Sequence, residues 1–326
     1  MIKSTSIAPS NIAFIKYWGK KDSSLKLPLN GSVSMNLSGM TTTTTVEFKK
    51  DFTEDEILIE NDDRKKTKDR VSGHLDKIRQ ITEVDMKAKV VSRNNFPSST
   101  GLSSSSSAFA ALTLAAVNAL NLHLSEKDLS ILARQGSGSA CRSIPDGFVE
   151  WLEGEDSNSS YSYSLHPPEY FDIADVVIVV SDKKKDISST EGQILADTSP
   201  FMATRLANIK DKIIKIKQII NKKDFSSFGQ LIESEALEMH AIMLTSNPPL
   251  IYWQPGTINI IKLVKKMRTE GLEVYFSLNT GQDVHIICKR KDVNKLEGYF
   301  RKIEEVKRII VNYPSVGARL SDNHLF

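Results

Sequence analysis

The chain has 326 residues, 40% of them apolar and 25% charged, which suits a soluble globular protein of two domains or one large one. Its 43 basic and 40 acidic residues leave a formal charge of +3, too small a surplus to argue for a nucleic-acid partner. No run approaches the roughly 18 continuous apolar residues of a membrane span, and the opening residues lack an apolar leader core, so a cytoplasmic setting without membrane contact is expected. Two cysteines, Cys141 and Cys288, make no disulfide framework and no zinc pattern, although a single bridge between them stays open.

In chain order, the first fifty residues read as β-structure with turns, and the β-branched run 41-TTTTTVEFKK-50 reads as a strand. A further strand is expected over 54–60. A helix over 67–82 carries Val71, Leu75, Ile78 and Ile81 at helical spacing, and another strand covers 87–92. A Ser-rich loop at 98–107 precedes an apolar helix at about 108–121. Ser125 followed by Asp128 caps the next helix, which ends at Gly136. The apolar run 174–181 is a buried strand, and the polar segment 183–192 sets a domain boundary, giving domains 1–182 and 183–326. The basic groups 64–68 and 183–185 read as solvated surface, with a binding site for a small anionic ligand as the alternative. Beyond them come helices through 201–243, a turn at 247–249, a helix at 256–269, strands at 272–278 and 284–288, a helix, and a last strand at 308–311. Strand and helix alternate throughout, which implies α+β or α/β layers.

Three stretches carry chemistry. In 97-PSSTGLSSSSSAFAAL-112, a glycine and many hydroxyls lie between a strand and a helix start, so N–H groups and hydroxyls gather at the positive end of a helix dipole. That makes an anion site from Gly101, Ser103, Ser104, Ser105, Ser106 and Ser107, although no lysine follows as in a P-loop. In 135-QGSGSACRS-143, small residues Ser137, Gly138 and Ser139 allow close backbone approach, and Arg142 offers a two-pronged grip on a carboxylate or phosphate. In 8-APSNIAFIKYWGKKD-22, the cations Lys16 and Lys20 flank Tyr17 near a strand end, a set suited to a polyanion. The six histidines are scattered, and no metal-ligand spacing or nucleophile elbow is present.

Together these stretches resemble the mevalonate diphosphate decarboxylases of the galactokinase, homoserine kinase, mevalonate kinase and phosphomevalonate kinase superfamily. The resemblance extends to 198-TSP-200 and 246-SNPPLIYW-253. It implies an α+β, two-domain fold, with an N-terminal domain like the second domain of ribosomal protein S-five and a ferredoxin-like C-terminal domain. It also implies a cytoplasmic homodimer acting on a small phosphorylated mevalonate. In the family, ATP and magnesium phosphorylate the C3 hydroxyl before phosphate and CO2 leave. Carried over by position, Gly101 and Ser103 to Ser107 line the nucleotide phosphates, and Tyr17 and Lys20 hold the 5-phosphate end. Ser137, Gly138, Ser139 and Arg142 face the substrate, Lys16 lies near the C3 oxygen, and Ser189 and Thr190 form a substrate-contacting loop.

One position departs from the pattern. Where the family has Asp-Ala-Gly-Pro-Asn, this chain reads Asn279-Thr280-Gly281-Gln282-Asp283, so the catalytic aspartate is an amide. An amide has no useful basicity, and losing a general base typically costs about 10²–10⁴-fold. Decarboxylation of an already phosphorylated C3 needs cations and an oriented carboxylate but no base. The leading expectation is therefore the branch resembling archaeal mevalonate 3,5-bisphosphate decarboxylases: no cofactor, no metal, and isopentenyl phosphate as product, with Lys16, Asn279 and Arg142 catalytic. The alternatives are an ATP- and magnesium-dependent diphosphomevalonate or phosphomevalonate decarboxylase in which Asp283 takes over as base, a mevalonate 3-kinase, and a catalytically inert relative.

Overall fold

Small and β-branched residues alternate across the pleat of a strand, and the first fifty residues use them in this way. The computed structural model describes residues 3–97, 101–181, 183 and 185–326. In it β1 (Lys3–Ile15) pairs antiparallel with β4 (Ser32–Lys49), which contains the whole threonine run; the hairpin of β2 (Lys20–Asp22) and β3 (Leu27–Pro28) lies between them in sequence. Next come β5 (Glu56–Ile59), α1 (Lys65–Thr82), β6 (Lys87–Asn94), α2 (Ser104–Ala119) and α3 (Glu126–Gly136). Helix α2 starts at Ser104 rather than at 108. Its first turn is serine, and first-turn N–H groups have no intrahelical partner, so hydroxyls are tolerated there.

A 3-10 turn over Gly138–Ser143 leads to β7 (Phe148–Trp151) and β8 (Ser162–His166), strands too short and mixed for alternation to reveal. Then follow β9 (Ile173–Val179), α4 (Ser189–Gly192), α5 (Met202–Lys222), α6 (Phe225–Leu244), α7 (Pro255–Thr269), β10 (Val274–Ser277), β11 (Val284–Lys289), α8 (Val293–Phe300), β12 (Arg308–Asn312) and β13 (Arg319–Ser321).

The first sheet runs β13-β1-β4-β6-β5, with β7 on β4 and β8 on β7; the second runs β10-β11-β9-β12. The chain enters the second sheet at β9, ahead of the boundary expected after residue 182, and β13 returns to the first sheet beside β1. Helix α2 covers one face of the first sheet, with apolar residues of α1 and α3 packed against it. The other face meets α5, α6 and the inner face of the second sheet in one core, where Phe14, Met35, Phe148, Val177, Ile216, Phe228 and Ile287 pack together. Helices α7 and α8 cover the outer face of the second sheet. Cys141 and Cys288 are both free and buried, so no bridge joins them. Among the described residues no helix is long and apolar enough to cross a membrane.

Gly229 fixes how closely α6 approaches β10. A Cβ placed there would lie 1.9 Å from Cδ2 of Tyr275. Gly229→Ala is expected to lower stability by about 1–3 kcal/mol through overpacking despite its better helix propensity, read as a lower urea midpoint.

Candidate active site

Lys16 follows β1 directly and lies in the seam between the two sheets, 1% exposed. Its backbone is held on both sides: its N–H donates to Glu235 Oε1 at 3.0 Å, and its carbonyl accepts from Asn30 Nδ2 and Arg205 Nη2, each at 2.9 Å. Its ammonium donates to Ser277 Oγ at 2.8 Å and reaches Asn279 Oδ1 at 3.5 Å. Burial pushes this lysine down to about 7; the Glu235 carboxylate opposes that fall and the Arg142 cation adds to it. Lys16 therefore exchanges its proton near neutrality.

Asn279 ties two elements together. Its Oδ1 faces Lys16, its Nδ2 donates to Ser103 Oγ at 3.1 Å, and its backbone carbonyl accepts from His240 Nε2 at 3.0 Å. An ionised carboxylate at this position would only accept, so the bond to Ser103 would reverse its donor. Burial holds His240 down at about 4, so the ring is neutral. Gly101, at φ +111°, lies against the same turn: a Cβ on it would come within 2.6 Å of Gly281 Cα. Glycine at 101 lets the Ser-rich loop reach the 279–281 turn.

Several of the other anticipated residues adjoin this point, whereas Ser107, Thr190 and Asp283 do not. Ser103 precedes α2 in a left-handed conformation, with no side-chain cap to the helix. Ser104 opens α2, Ser105 Oγ accepts from Ser137 Oγ at 3.2 Å, and Ser106 Oγ meets Ser139 Oγ at 2.5 Å. Ser107 turns away to Thr42 Oγ1 at 2.6 Å, inside the first domain's core. Ser98, Ser99 and Thr100 lie outside the described residues. Gly138 approaches Tyr17, whose hydroxyl donates to Gln193 Oε1 at 2.5 Å and whose ring packs edge-on against Trp151. Arg142 is buried, with Nε and Nη2 on Asn11 Oδ1 at 3.2 and 2.9 Å and Nη1 on Ser32 Oγ at 2.9 Å. Those neutral partners leave its charge uncompensated. Ser189 Oγ meets Thr280 Oγ1 at 2.5 Å, while Thr190 is exposed on the short α4. Asp283 is buried, and its Oδ1 accepts from Val180 N–H at 3.1 Å at the end of β9. It caps a strand end and lies outside the contacts of Lys16, so the structure does not support it as a replacement base.

The sequence reading missed several members. Lys185, taken there for solvated surface, donates to Thr280 O at 2.7 Å and to Ser189 Oγ at 2.8 Å, and burial pushes it down to about 8. Its signal was present, since 183–189 enters the loop that carries Ser189, but a lysine triplet looks like surface until the fold closes over it. Arg70 on α1 was also missed. Lys20 is pushed down to about 8, first by burial and then by the cations Lys26 and Arg70. That corner is basic and, among the described residues, none of the three cations makes an ion pair with a carboxylate. Asn11, Gln193, Ser277 and Glu235 are the remaining supports, and nothing local in the sequence marks them. No three His, Cys, Asp or Glu side chains gather as a metal site among the described residues.

Taken together, the site holds a Ser-rich loop on a helix start, a buried arginine with neutral partners, and a lysine at the seam between the sheets. This places the chain among two-domain α+β proteins of the GHMP-kinase type that handle phosphorylated small molecules. Residues 8–162 match the diphosphomevalonate decarboxylase-like N-terminal domain, and residues 175–318 match the mevalonate 5-diphosphate decarboxylase C-terminal domain. The diphosphomevalonate decarboxylase of Candida albicans is 35% identical over 315 residues, covering 91% of this chain and 87% of that protein. The Enterococcus faecalis mevalonate diphosphate decarboxylase, solved to examine mevalonate diphosphate mediated ATP binding, superposes at TM-score 0.91 with 33% identity over 99% of each chain. MDDEF in complex with MVAPP, AMPPCP and magnesium superposes at TM-score 0.91 with 35% identity, again over 99% of each chain. The chain belongs to the diphosphomevalonate decarboxylase family and is an enzyme of the carboxy-lyase class. These relatives carry the diphosphate name, not the 3,5-bisphosphate name that Asn279 led the sequence reading to expect, and the two solved ones concern ATP binding and a complex with AMPPCP and magnesium.

Proposed function

We propose that this protein is an ATP- and magnesium-dependent decarboxylase of mevalonate 5-diphosphate that forms isopentenyl diphosphate, CO2 and phosphate, with Lys16 taking the proton of the C3 hydroxyl. The observation that carries this reading is the buried Lys16 ammonium, held between Ser277 and Asn279 and pushed down to about 7. A neutral lysine is a competent base where an amide is not. In the first step the hydroxyl gives its proton to Lys16 Nζ, and its oxygen bonds to the γ-phosphorus as the bond to ADP breaks. In the second step the C3–O bond breaks and phosphate leaves with that pair. The carboxylate C–C electrons become the alkene, and CO2 departs.

The donor set fits the nucleotide phosphates. Ser103, Ser104, Ser105 and Ser106 at the start of α2, together with Lys185, would receive them, and Arg142 would hold the substrate carboxylate. Tyr17 and Lys20 would hold the 5-diphosphate, and Ser137, Gly138, Ser139, Ser189 and Thr190 would line the substrate. With no acidic cluster among the described residues, magnesium would rest on phosphate oxygens and hydroxyls, where it neutralises charge. The cytoplasmic homodimer implied by the family resemblance belongs to the same proposal. Lys185→Ala is expected to raise the KM for ATP about 10-fold or more by removing a charge-assisted contact, with the melting temperature little changed.

A second reading is favoured by Asn279 itself. A neutral amide bonded to the phosphate loop repels an incoming 3-phosphate less than a carboxylate would, which suits nucleotide-free decarboxylation of mevalonate 3,5-bisphosphate to isopentenyl phosphate. The test is CO2 release from mevalonate 5-diphosphate with ATP and magnesium, against release from mevalonate 3,5-bisphosphate with EDTA and no nucleotide. Turnover only in the first supports the proposal; turnover in the second overturns it. The pH profile adds an independent sign. With Lys16 as base, kcat/KM rises as pH climbs through about 7 and the free enzyme loses that proton. With Lys16 needed as a cation on the leaving phosphate, kcat/KM falls over the same range.

A further inference from the structure

Alternation places Tyr275 and Ser277 of β10, His285 and Ile287 of β11, Asp175 and Val177 of β9, and Ile310 and Asn312 of β12 on the inner face of the second sheet. Most of that face packs into the central core, yet it carries a polar row: Ser277, His285, Asp175 and Asn312, all buried. Ser277 and His285 are register partners across β10 and β11. His285 Nδ1 lies 2.8 Å from Asp175 Oδ2, and an ionised carboxylate only accepts, so Nδ1 carries the proton. His285 Nε2 and Asp175 Oδ1 have no partner among the described residues.

Stability alone does not account for this pair. A buried carboxylate with one imidazole partner and an orphaned oxygen costs several kcal/mol, and apolar residues of similar volume would be neutral or better here. Asn312 Nδ2 reaches the Asp175 backbone carbonyl, not its carboxylate, so the bond to His285 across β9 and β11 is the one the carboxylate makes among the described residues. At the other end of the row, Ser277 Oγ accepts from Lys16 and keeps its own proton to donate. The charges acting on Lys16 are Glu235 of α6 and Asp175 of β9 on one side, and Arg142 of the 3-10 turn and Arg205 of α5 on the other. His240 of α6 is neutral and Asn279 uncharged. Glu235 is already engaged by Arg205 at 2.5 Å and Lys212 at 3.1 Å. Asp175 is then the carboxylate, on the strand side of Lys16, left to balance it where residue 279 supplies none.

We propose that Asp175 and His285, buried on the same sheet face beside Ser277, form a positioning dyad for Lys16 that supplies the negative charge Asn279 does not. The dyad would not touch the substrate. It biases Lys16 toward its protonated form. This rests on the reading of Lys16 as the reacting-site lysine.

The test uses full-length Asp175→Asn and His285→Gln, two substitutions of similar size so that one remains if the other fails to fold. The Lys16 side chain is titrated directly by NMR of lysine-labelled protein, its signal assigned with Lys16→Met, and the pH profile of CO2 release is recorded. In Asp175→Asn the Lys16 titration and the kcat/KM limb are expected to move about 0.5–1 unit toward acid, since a negative neighbour is lost. In both variants kcat is expected to fall about 10-fold with little change in KM, as for a residue that acts through another. A Lys16 titration unmoved in Asp175→Asn, with unchanged kcat in both variants, overturns the dyad. Full activity in Lys16→Met would instead overturn the role of Lys16 in the reaction. The NMR titration reads the electrostatic link without turnover and separates those two failures.

Discussion

Lys16→Met is expected to lower kcat by about 10²–10⁴-fold while leaving the fold intact, because the group lost is either the proton acceptor or the cation on the leaving phosphate. Steady-state CO2 release checks the rate. Thermal melts check the fold, and they carry a sign of their own. The unfolded chain holds this proton up to about 10.5 and the folded chain releases it near 7. The folded state is therefore penalised fully below pH 7, and the penalty shrinks as pH rises from 7 toward 10.5. The variant should gain most in melting temperature over the parent at pH 6 and least at pH 9. Glu235 keeps Arg205 and Lys212 as partners in the variant. A variant that melted well below the parent at pH 6 would show that Lys16 is chiefly a structural cation.

Glu235→Ala is expected to be the most destabilising single change in the site, at about 3–5 kcal/mol, measured as a drop in the urea midpoint at constant m-value. Glu235 and Arg205 are both fully buried and 2.5 Å apart. Removing the carboxylate leaves the Arg205 guanidinium with Glu238, at 2.8 Å, as its remaining acidic partner, and frees the Lys16 backbone N–H. Activity should fall with stability here, because the same carboxylate anchors the segment that aims Lys16. Glu235→Gln keeps an acceptor for that N–H, so it should recover activity before it recovers stability. Equal losses in both variants would mean that charge, not the anchor, sets the position of Lys16.

Much of this could be read from local sequence, and the reasons differ by element. The apolar run 174–181 and the helix with Val71, Leu75 and Ile78 are legible because burial imposes a period on a continuous stretch. The Ser-rich loop and the Ser137–Arg142 segment are legible because their small, hydroxylated residues fall at adjacent positions beside helical turns. Strands β7, β8 and β13 were not legible, since strands of three to five residues take their pairing from partners far along the chain. The expected boundary after residue 182 followed a change in composition, whereas the chain crosses to the second sheet at β9 for a pairing that composition does not record.

The sequence by itself determined the family resemblance, the Ser-rich loop, and the fact that position 279 is an amide. Each of these is a property of residues close together in the chain. Only the tertiary structure decided what the amide means. It set Asn279 between Lys16 and Ser103, residues 263 and 176 positions away in sequence, and it turned Asp283 toward Val180 instead of Lys16. It buried Lys16 deeply enough to loosen its proton, folded Lys185 onto Thr280, and set the Asp175–His285 pair on the same sheet face as Ser277. The physical reason is that charge state and reach depend on burial and on neighbours brought together by the packing of two sheets, and no short stretch of sequence contains that packing.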